Sequence, residues 1–320
     1  MNVFNFLFAY LPFLEFLAKT FNKKLTASNR FKKGFSKAKP KPRRVDTFGS
    51  LNTSGNTFEH IIQHLSKHGI TSLDICIFHT SFTALRPFEP SPRSIAQKLI
   101  NFLGDEGTVV LPTYPLFKYL KQQSTSATCE VFDLLSRRCW TGDIPRAFLG
   151  IDGVVRSPNP INNLTAYGKD AYEMMRYNII DELPLPCGKN SSWEYCYKNN
   201  AWLVFLGVDA VHSMTMIHLA EDLWCDSWPV DRWYTNRDFL LSIDGITVVK
   251  KLLERDPIWS VHYCERAFKK DLMAAGILIS FTFEGLRIEL CRSKPLINFL
   301  RSNRLPTYPY QFIQSKSLRF

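Results

Sequence analysis

In the stretch SMTMIHLAED, Ser213 to Asp222, a single histidine, His218, stands three residues before Glu221 and four before Asp222. On a helix, positions i+3 and i+4 share a face with i, so both carboxylates come within reach of one imidazole. A carboxylate beside an imidazole fixes its tautomer and raises its basicity, as a general base at neutral pH requires. The same spacing also occurs as a solvated pair on a helix surface, and spacing alone does not separate the two.

Other chemistry-bearing residues gather where apolar runs end. FHTSF puts His79, Thr80 and Ser81 directly after a buried strand pattern, LPTY puts Thr113 and Tyr114 after the next, and GVVRS puts Arg156 and Ser157 after a third. Hydroxyls and free backbone N–H groups at such joints can collect a phosphate, and open α/β sheets bind ligands at the carboxyl ends of their strands. His60, His64 and His68 repeat every four residues, but no carboxylate or cysteine partner lies nearby in sequence, so they read as solvated helix positions and no metal is expected. The eight cysteines show no C-x-x-C spacing and read as reduced thiols of a cytoplasmic protein.

The elements that must position these residues alternate along the chain. TFEHIIQHLSKHG has Phe58, Ile61, Ile62 and Leu65 at helical spacing with a stop at Gly69, and SLDICIFHT follows as a short buried strand. SPRSIAQKLINFLGDEG predicts a helix capped by Ser91 or Ser94 and ending at Gly104, before a strand in TVVLPTY. AWLVFLGVD predicts a third strand that ends beside His218, and LLSIDGITVVKKLLER predicts a hairpin turning at Asp244-Gly245. The expected fold is α/β, a central sheet flanked by helices and made mixed by that hairpin.

Charge divides the chain differently. The net +11 at first suggests nucleic acid, yet residues 1–45 hold eleven Lys and Arg against Glu15 alone, leaving 29 basic and 28 acidic residues in the rest. A nearly neutral body offers nucleic acid no second surface. Residues 46–320 therefore read as one domain and residues 1–45 as a leader. Met1 to Phe21 is almost continuously apolar, with Asn5, Pro12, Glu15, Lys19 and Asn22 on one narrow strip. Glu15 and a kink at Pro12 make it a poor transmembrane span, and without a basic start or a small-x-small site it is a poor secretory signal. The expectation is a helix in the interface of an anionic membrane, tethered by polybasic Lys23 to Arg44; the alternative is a helix docked on the body or on a partner chain.

Taken in order, the body segments resemble the aminoglycoside 3-N-acetyltransferase family, acetyl-CoA-dependent and unrelated to the commoner GNAT acetyltransferases. That family carries an H-S-S-L type loop after a strand, then G-x-x-G-T-x-x-M-P-T-F; here the counterparts are His79-Thr80-Ser81-Phe82 and GDEGTVVLPTY. Its G-x-L-x-E-x-F segment and R-S-x-H-P-x-x-S-x-x-A-x-G are matched by TGDIPRAFLGIDGVVRSPNPINNLTAYG, and P-x-G-x-x-S-P before a strand ending in L-G-V by PCGKNSSWEYC and VFLGVD. Its T-x-x-H-L-A-E is TMIHLAE, Thr215 to Glu221. The resemblance runs from about residue 58 to near 290. There are departures: the family's histidine is Asn159, its later serine Asn163 and the proline of its S-P Ser192, and the leader has no counterpart in the typical antibiotic-modifying members.

The resemblance implies direct acetyl transfer from acetyl-CoA to an amine, or a hydroxyl, on a sugar or aminoglycoside-like acceptor. His218 is then the base, Glu221 its orienting carboxylate and Asp222 the second candidate for that role. His79, Thr80, Ser81, Thr113, Arg156, Ser157 and Asn159 are the candidates for holding the cofactor. Ser157, Asn159 or backbone N–H groups after His79 would face the developing oxyanion. A polycationic aminoglycoside wants an acidic cleft, whereas a nucleotide-linked or lipid-linked amino sugar suits a membrane-facing leader; with Asn159, the leader favours acetylation in cell-surface polysaccharide assembly. Two other readings are a catalytically degenerate binding module at the membrane and an H-x-x-x-D acyltransferase built on His218 and Asp222, the latter lacking that class's other motifs. No oligomeric state follows.

Overall fold

Alternation of period two decides how this sheet is covered. In the strand Ile75–Thr80, Ile75 and Ile77 join one buried cluster while Cys76 and Phe78 join another, so helices must cover both faces. A computed structural model describes residues 3–32, 57–121, 128–243, 245–303, 305–314 and 317–318.

In chain order the first elements are α1 (Val3–Tyr10), α2 (Pro12–Lys32), α3 (Phe58–Lys67), β1 (Ile75–Thr80), α4 (Phe82–Leu85), α5 (Pro92–Leu103) and β2 (Thr108–Pro112). There follow β3 (Lys118–Lys121), β4 (Thr128–Asp133), α6 (Asp143–Phe148), β5 (Val155–Arg156), β6 (Leu164–Gly168), α7 (Ala171–Met175), α8 (Ser192–Lys198) and β7 (Trp202–Leu206). After β7 come α9 (Ala210–Ser213), a 3-10 turn (Thr215–Ile217), α10 (His218–Asp222), β8 (Tyr234–Ile243) and β9 (Ile246–Arg255). With a short 3-10 turn (Cys225–Ser227) between α10 and β8, a third 3-10 segment (Pro257–His262), α11 (Glu265–Ala274), β10 (Ile279–Phe283), β11 (Leu286–Arg292) and α12 (Ser293–Ser302) complete the order of the described residues.

The central sheet has seven strands in the order β10-β11-β7-β1-β2-β6-β5, with β1 parallel to both β2 and β7. It is mixed because β6 and β11 run antiparallel to β2 and β7. The sequence assigned that mixing to the β8–β9 hairpin, and this is corrected: the hairpin builds a second sheet, β3-β4-β8-β9. A hairpin fixes the register of its own two strands, here Ile243 against Ile246, but not the sheet they join. The turn residue Asp244 lies outside the described residues. A second hairpin, β10–β11, turns at Glu284-Gly285, both with positive φ, as a tight two-residue loop requires.

The helix boundaries follow their caps. Ser91 caps α5 through Ser94 N–H, Pro92 starts it and Gly104, at φ 61°, stops it. The His60 series is half-buried rather than solvated: His64 packs on Phe283 at 4.4 Å and His68 stacks on Phe281 at 4.3 Å between ring centres. None of the seven cysteines whose side chains are described is paired.

The leader docks on the body. Buried Glu15 accepts from the Arg266 backbone N–H, Lys19 pairs with Glu265 at 3.0 Å, and Phe16 packs against Phe312 and His262. Among the described residues no single helix is long and apolar enough to cross a membrane, and the one pair with enough apolar length is bent by 112° at Leu11. Residues 33–56, which hold most of the polybasic tether and the expected boundary at residue 45, lie outside the described residues.

Candidate active site

The carboxyl ends of β1, β2 and β7 open onto one cleft of about 720 Å³, lined by His79 and Thr80, Pro112 and Tyr114, and Val208 respectively. Parallel strands point their ends the same way, which puts three sequence-distant joints around one space. Trp140 and Thr141 close one side; His212, Ser213 and Thr215 close the other and also line a smaller recess of about 190 Å³ that contains His218.

The segment from α9 to α10 is held from below. Asp209 caps Val211 N–H and pairs with Arg266, Lys269 and Arg287. Burial pushes its carboxyl up, but Lys269, Arg266 and His212 outweigh this and hold it down at about 2. Glu289 on β11 accepts from Ala210 N–H at 2.7 Å. His218 opens α10 and Glu221 lies one turn on, with Nδ1 3.0 Å from Oε1. The other oxygen, Oε2, accepts from the indole N–H of Trp233 at 3.0 Å, with Arg255 Nε at 3.9 Å and the Tyr310 hydroxyl also on the carboxylate. Burial pushes Glu221 up, but His218, Arg255 and Tyr310 outweigh it and keep the carboxyl below its usual range. An ionised carboxylate only accepts, so Nδ1 carries the proton in that bond, and neutral His218 presents Nε2 as an acceptor.

Asp222 does something else. Its oxygens accept from Cys187 N–H at 2.9 Å and Tyr234 hydroxyl at 3.0 Å, and it does not line the recess. Burial, reinforced by the charge of Glu221, raises it to about 7. Its expected place beside His218 is therefore corrected: position i+4 gives access to the face, but two donors turn the side chain away.

The expected cofactor residues separate into two groups. His79 and Thr80 line the cleft; the His79 ring stacks on Phe205 at 4.8 Å, and its Nε2 and Thr80 Oγ1 are buried without a protein partner. Burial lowers His79 to about 3, so its ring is neutral. Ser81 caps α4 through Ala84 N–H, and its own N–H is bonded to Leu206 O, so of the backbone donors expected after His79 that one is taken. Thr113, Arg156, Ser157 and Asn159 form a buried polar knot and leave the cleft lining, which corrects their expected role. Thr113 Oγ1 and Arg156 Nε both bond Asn163 Oδ1 at 2.8 Å, Ser157 Oγ bonds Asn178, and Asn159 Oδ1 accepts from Ile161 N–H. Burial lowers Arg156 to about 10. The knot fixes the loop between β5 and β6 against the end of β2, and within it Asn159 Nδ2 is buried without a protein partner.

Tyr114, expected at a strand end, and Thr215 share a hydrogen bond across the cleft. Sequence reasoning missed Trp140, which packs edge-on against Tyr114, and Trp233, Arg255 and Tyr310, which back Glu221. A neighbouring recess of about 580 Å³ shares Leu116 with the cleft and is lined by Arg93, Arg137, Arg138 and Arg146. The double basic pair at 137–138 was a visible signal; the convergence of Arg93 and Arg146 was not.

The family model described as aminoglycoside 3-N-acetyltransferase matches residues 77–303. Aminoglycoside N(3)-acetyltransferase IX of Micromonospora chalcea is 26% identical over 192 residues, 56% of this chain and 67% of that one. Aminoglycoside N(3)-acetyltransferase IV of a Salmonella species is 28% identical over 207 residues, 64% of this chain and 70% of that one. Among solved structures, aminoglycoside acetyltransferase AAC(3)-Xa has a TM-score of 0.64 at 20% identity, covering 76% of this chain and 90% of that one. A binary complex of AAC-IIIb with CoASH has a TM-score of 0.63 at 16% identity, covering 76% and 94%.

Proposed function

The chain belongs to the aminoglycoside 3-N-acetyltransferase family and is an acyltransferase; from that premise we propose that it carries the acetyl group of acetyl-CoA directly to an amino group of an aminoglycoside-type sugar, with His218 as general base. The observation that carries this reading is the His218–Glu221 pair, whose Nδ1 is tied to a buried carboxylate while Nε2 is left for the recess that joins the cleft. As the acceptor nitrogen attacks the acetyl carbonyl, Nε2 takes its proton, Glu221 stabilises the imidazolium, and the proton then passes to the departing CoA sulfur. No covalent enzyme intermediate is needed.

The residues present suit acetyl-CoA. The unpartnered Thr80 Oγ1 and His79 Nε2 lie in the cleft wall where an amide-bearing arm would run, between Phe78, Pro112 and Trp140. The four arginines beyond Leu116 suit its phosphates. Thr215, at the junction of cleft and recess, replaces Ser157 and Asn159 as the candidate donor to the oxyanion. Use of acetyl-CoA supports a cytoplasmic place for the reaction.

The acceptor preference changes from cell-surface amino sugars to aminoglycosides. The relatives matched by sequence are named for aminoglycoside acetylation, and solved relatives are described with a gentamicin, apramycin and sisomicin bound. Asn159, which favoured a different acceptor, is 2% exposed in the polar knot and off the cleft. The test is release of free CoA from acetyl-CoA across a panel of aminoglycosides and simple amino sugars, beside His218→Ala. We expect release with an aminoglycoside and a loss of about 100-fold or more in kcat for the variant, the scale of a lost general base. Undiminished release from His218→Ala would remove the base, release with amino sugars alone would reverse the acceptor, and no CoA binding would leave a binding module.

A further inference from the structure

We propose that the outward face of α1 and α2 seats this enzyme on an anionic phospholipid membrane. A helix docked on a soluble body ordinarily turns its apolar side inward and its polar side to water. Here the arrangement is inverted. The narrow polar strip faces the body: Glu15 is 4% exposed and bonded to Arg266 N–H, and Lys19 reaches both Glu265 and the Tyr263 carbonyl. Phe16 packs on the body, but much of the apolar side faces out, with Val3 69%, Phe4 64%, Tyr10 59%, Leu11 51%, Leu17 44% and Phe21 66% exposed. Aromatic and aliphatic groups so concentrated on 19 consecutive residues form a patch that water disfavours.

Charge selects the cover. Residues 1–45 carry eleven Lys and Arg against one acid; Glu15 and Lys19 are turned into the body, and the other ten basic residues fall at Lys23 to Arg44, directly after the apolar patch in sequence and with no acidic residue among them. A second copy of this chain would bring the same charge to the same patch and repel it, whereas anionic headgroups complement it. The pairs made by Glu15 and Lys19, with the 112° bend, hold the two helices to the body, so the membrane is met at its surface and not crossed.

The experiment is flotation of the full chain with phosphatidylcholine vesicles, with and without phosphatidylglycerol, alongside Phe4→Glu/Leu17→Glu/Phe21→Glu. We expect binding to the anionic vesicles about tenfold or more above the neutral ones, falling steeply with salt. The triple variant is expected to lose it while keeping its thermal midpoint and its CoA release with a soluble acceptor. Flotation of neither vesicle, or equal flotation of the triple variant, overturns the proposal. Concentration-dependent dimerisation of the wild type that the variant abolishes, without flotation, would assign the face to a second copy instead.

Discussion

His218 and Asp222 sit four residues apart on one short helix, yet they occupy opposite chemical situations. His218 meets an ionised carboxylate whose second oxygen is held by Trp233, while Asp222 is buried against the Cys187 N–H and the Tyr234 hydroxyl and is raised to about 7. A raised carboxyl has a definite sign in stability. Between its ordinary value of 3.8 and about 7 the folded state keeps a proton that the unfolded state has lost, so stability falls as pH rises through that window. The slope is at most about 1.4 kcal/mol per pH unit for one group. Asp222→Asn cannot titrate, so urea unfolding from about pH 4.5 to 8 is expected to show the variant gaining on wild type as pH rises. Parallel profiles would mean that Asp222 is already ionised at acid pH in the fold.

At the scale of elements, the site depends on how closely the end of β7 approaches the start of α4. Gly207 has φ 71°, and a Cβ there would lie 2.4 Å from the Cβ of Ala84. Only glycine combines that backbone conformation with that contact. Gly207→Ala is expected to cost about 2–4 kcal/mol, strain and overpacking together, read as a lowered midpoint in thermal unfolding. Because only the cap Ser81 separates α4 from Thr80, the KM for acetyl-CoA is expected to rise as well. A variant with an unchanged midpoint would show that α4 shifts without cost.

Across the whole molecule, the proposed path for acetyl-CoA runs from the arginine recess, past Leu116 and Trp140, to Thr215 and His218. It crosses parts of the chain far apart in sequence, from Arg93 to His218. Arg137→Ala/Arg138→Ala is expected to raise the KM for acetyl-CoA about tenfold with kcat little changed, and to weaken its dependence on salt. Steady-state kinetics at two ionic strengths check this, and a drop in kcat at unchanged KM would move the phosphates elsewhere.

Sequence alone determined the α/β class, the main strands and helices, the family and the His218–Glu221 pair, because hydrophobic period, caps and i,i+3 spacing are local properties carried by neighbouring residues. It also showed the polar strip of the leader at Glu15 and Lys19. What it left open depends on contacts between distant segments. Only the tertiary structure put the β8–β9 hairpin in a second sheet, turned Asp222 away from His218, and drew Thr113, Arg156, Ser157 and Asn159 into a knot with Asn163 and Asn178. It also decided that the leader's polar strip faces the body. A side chain's type fixes which bonds it can make, but the partner that reaches it first is chosen by how the chain packs.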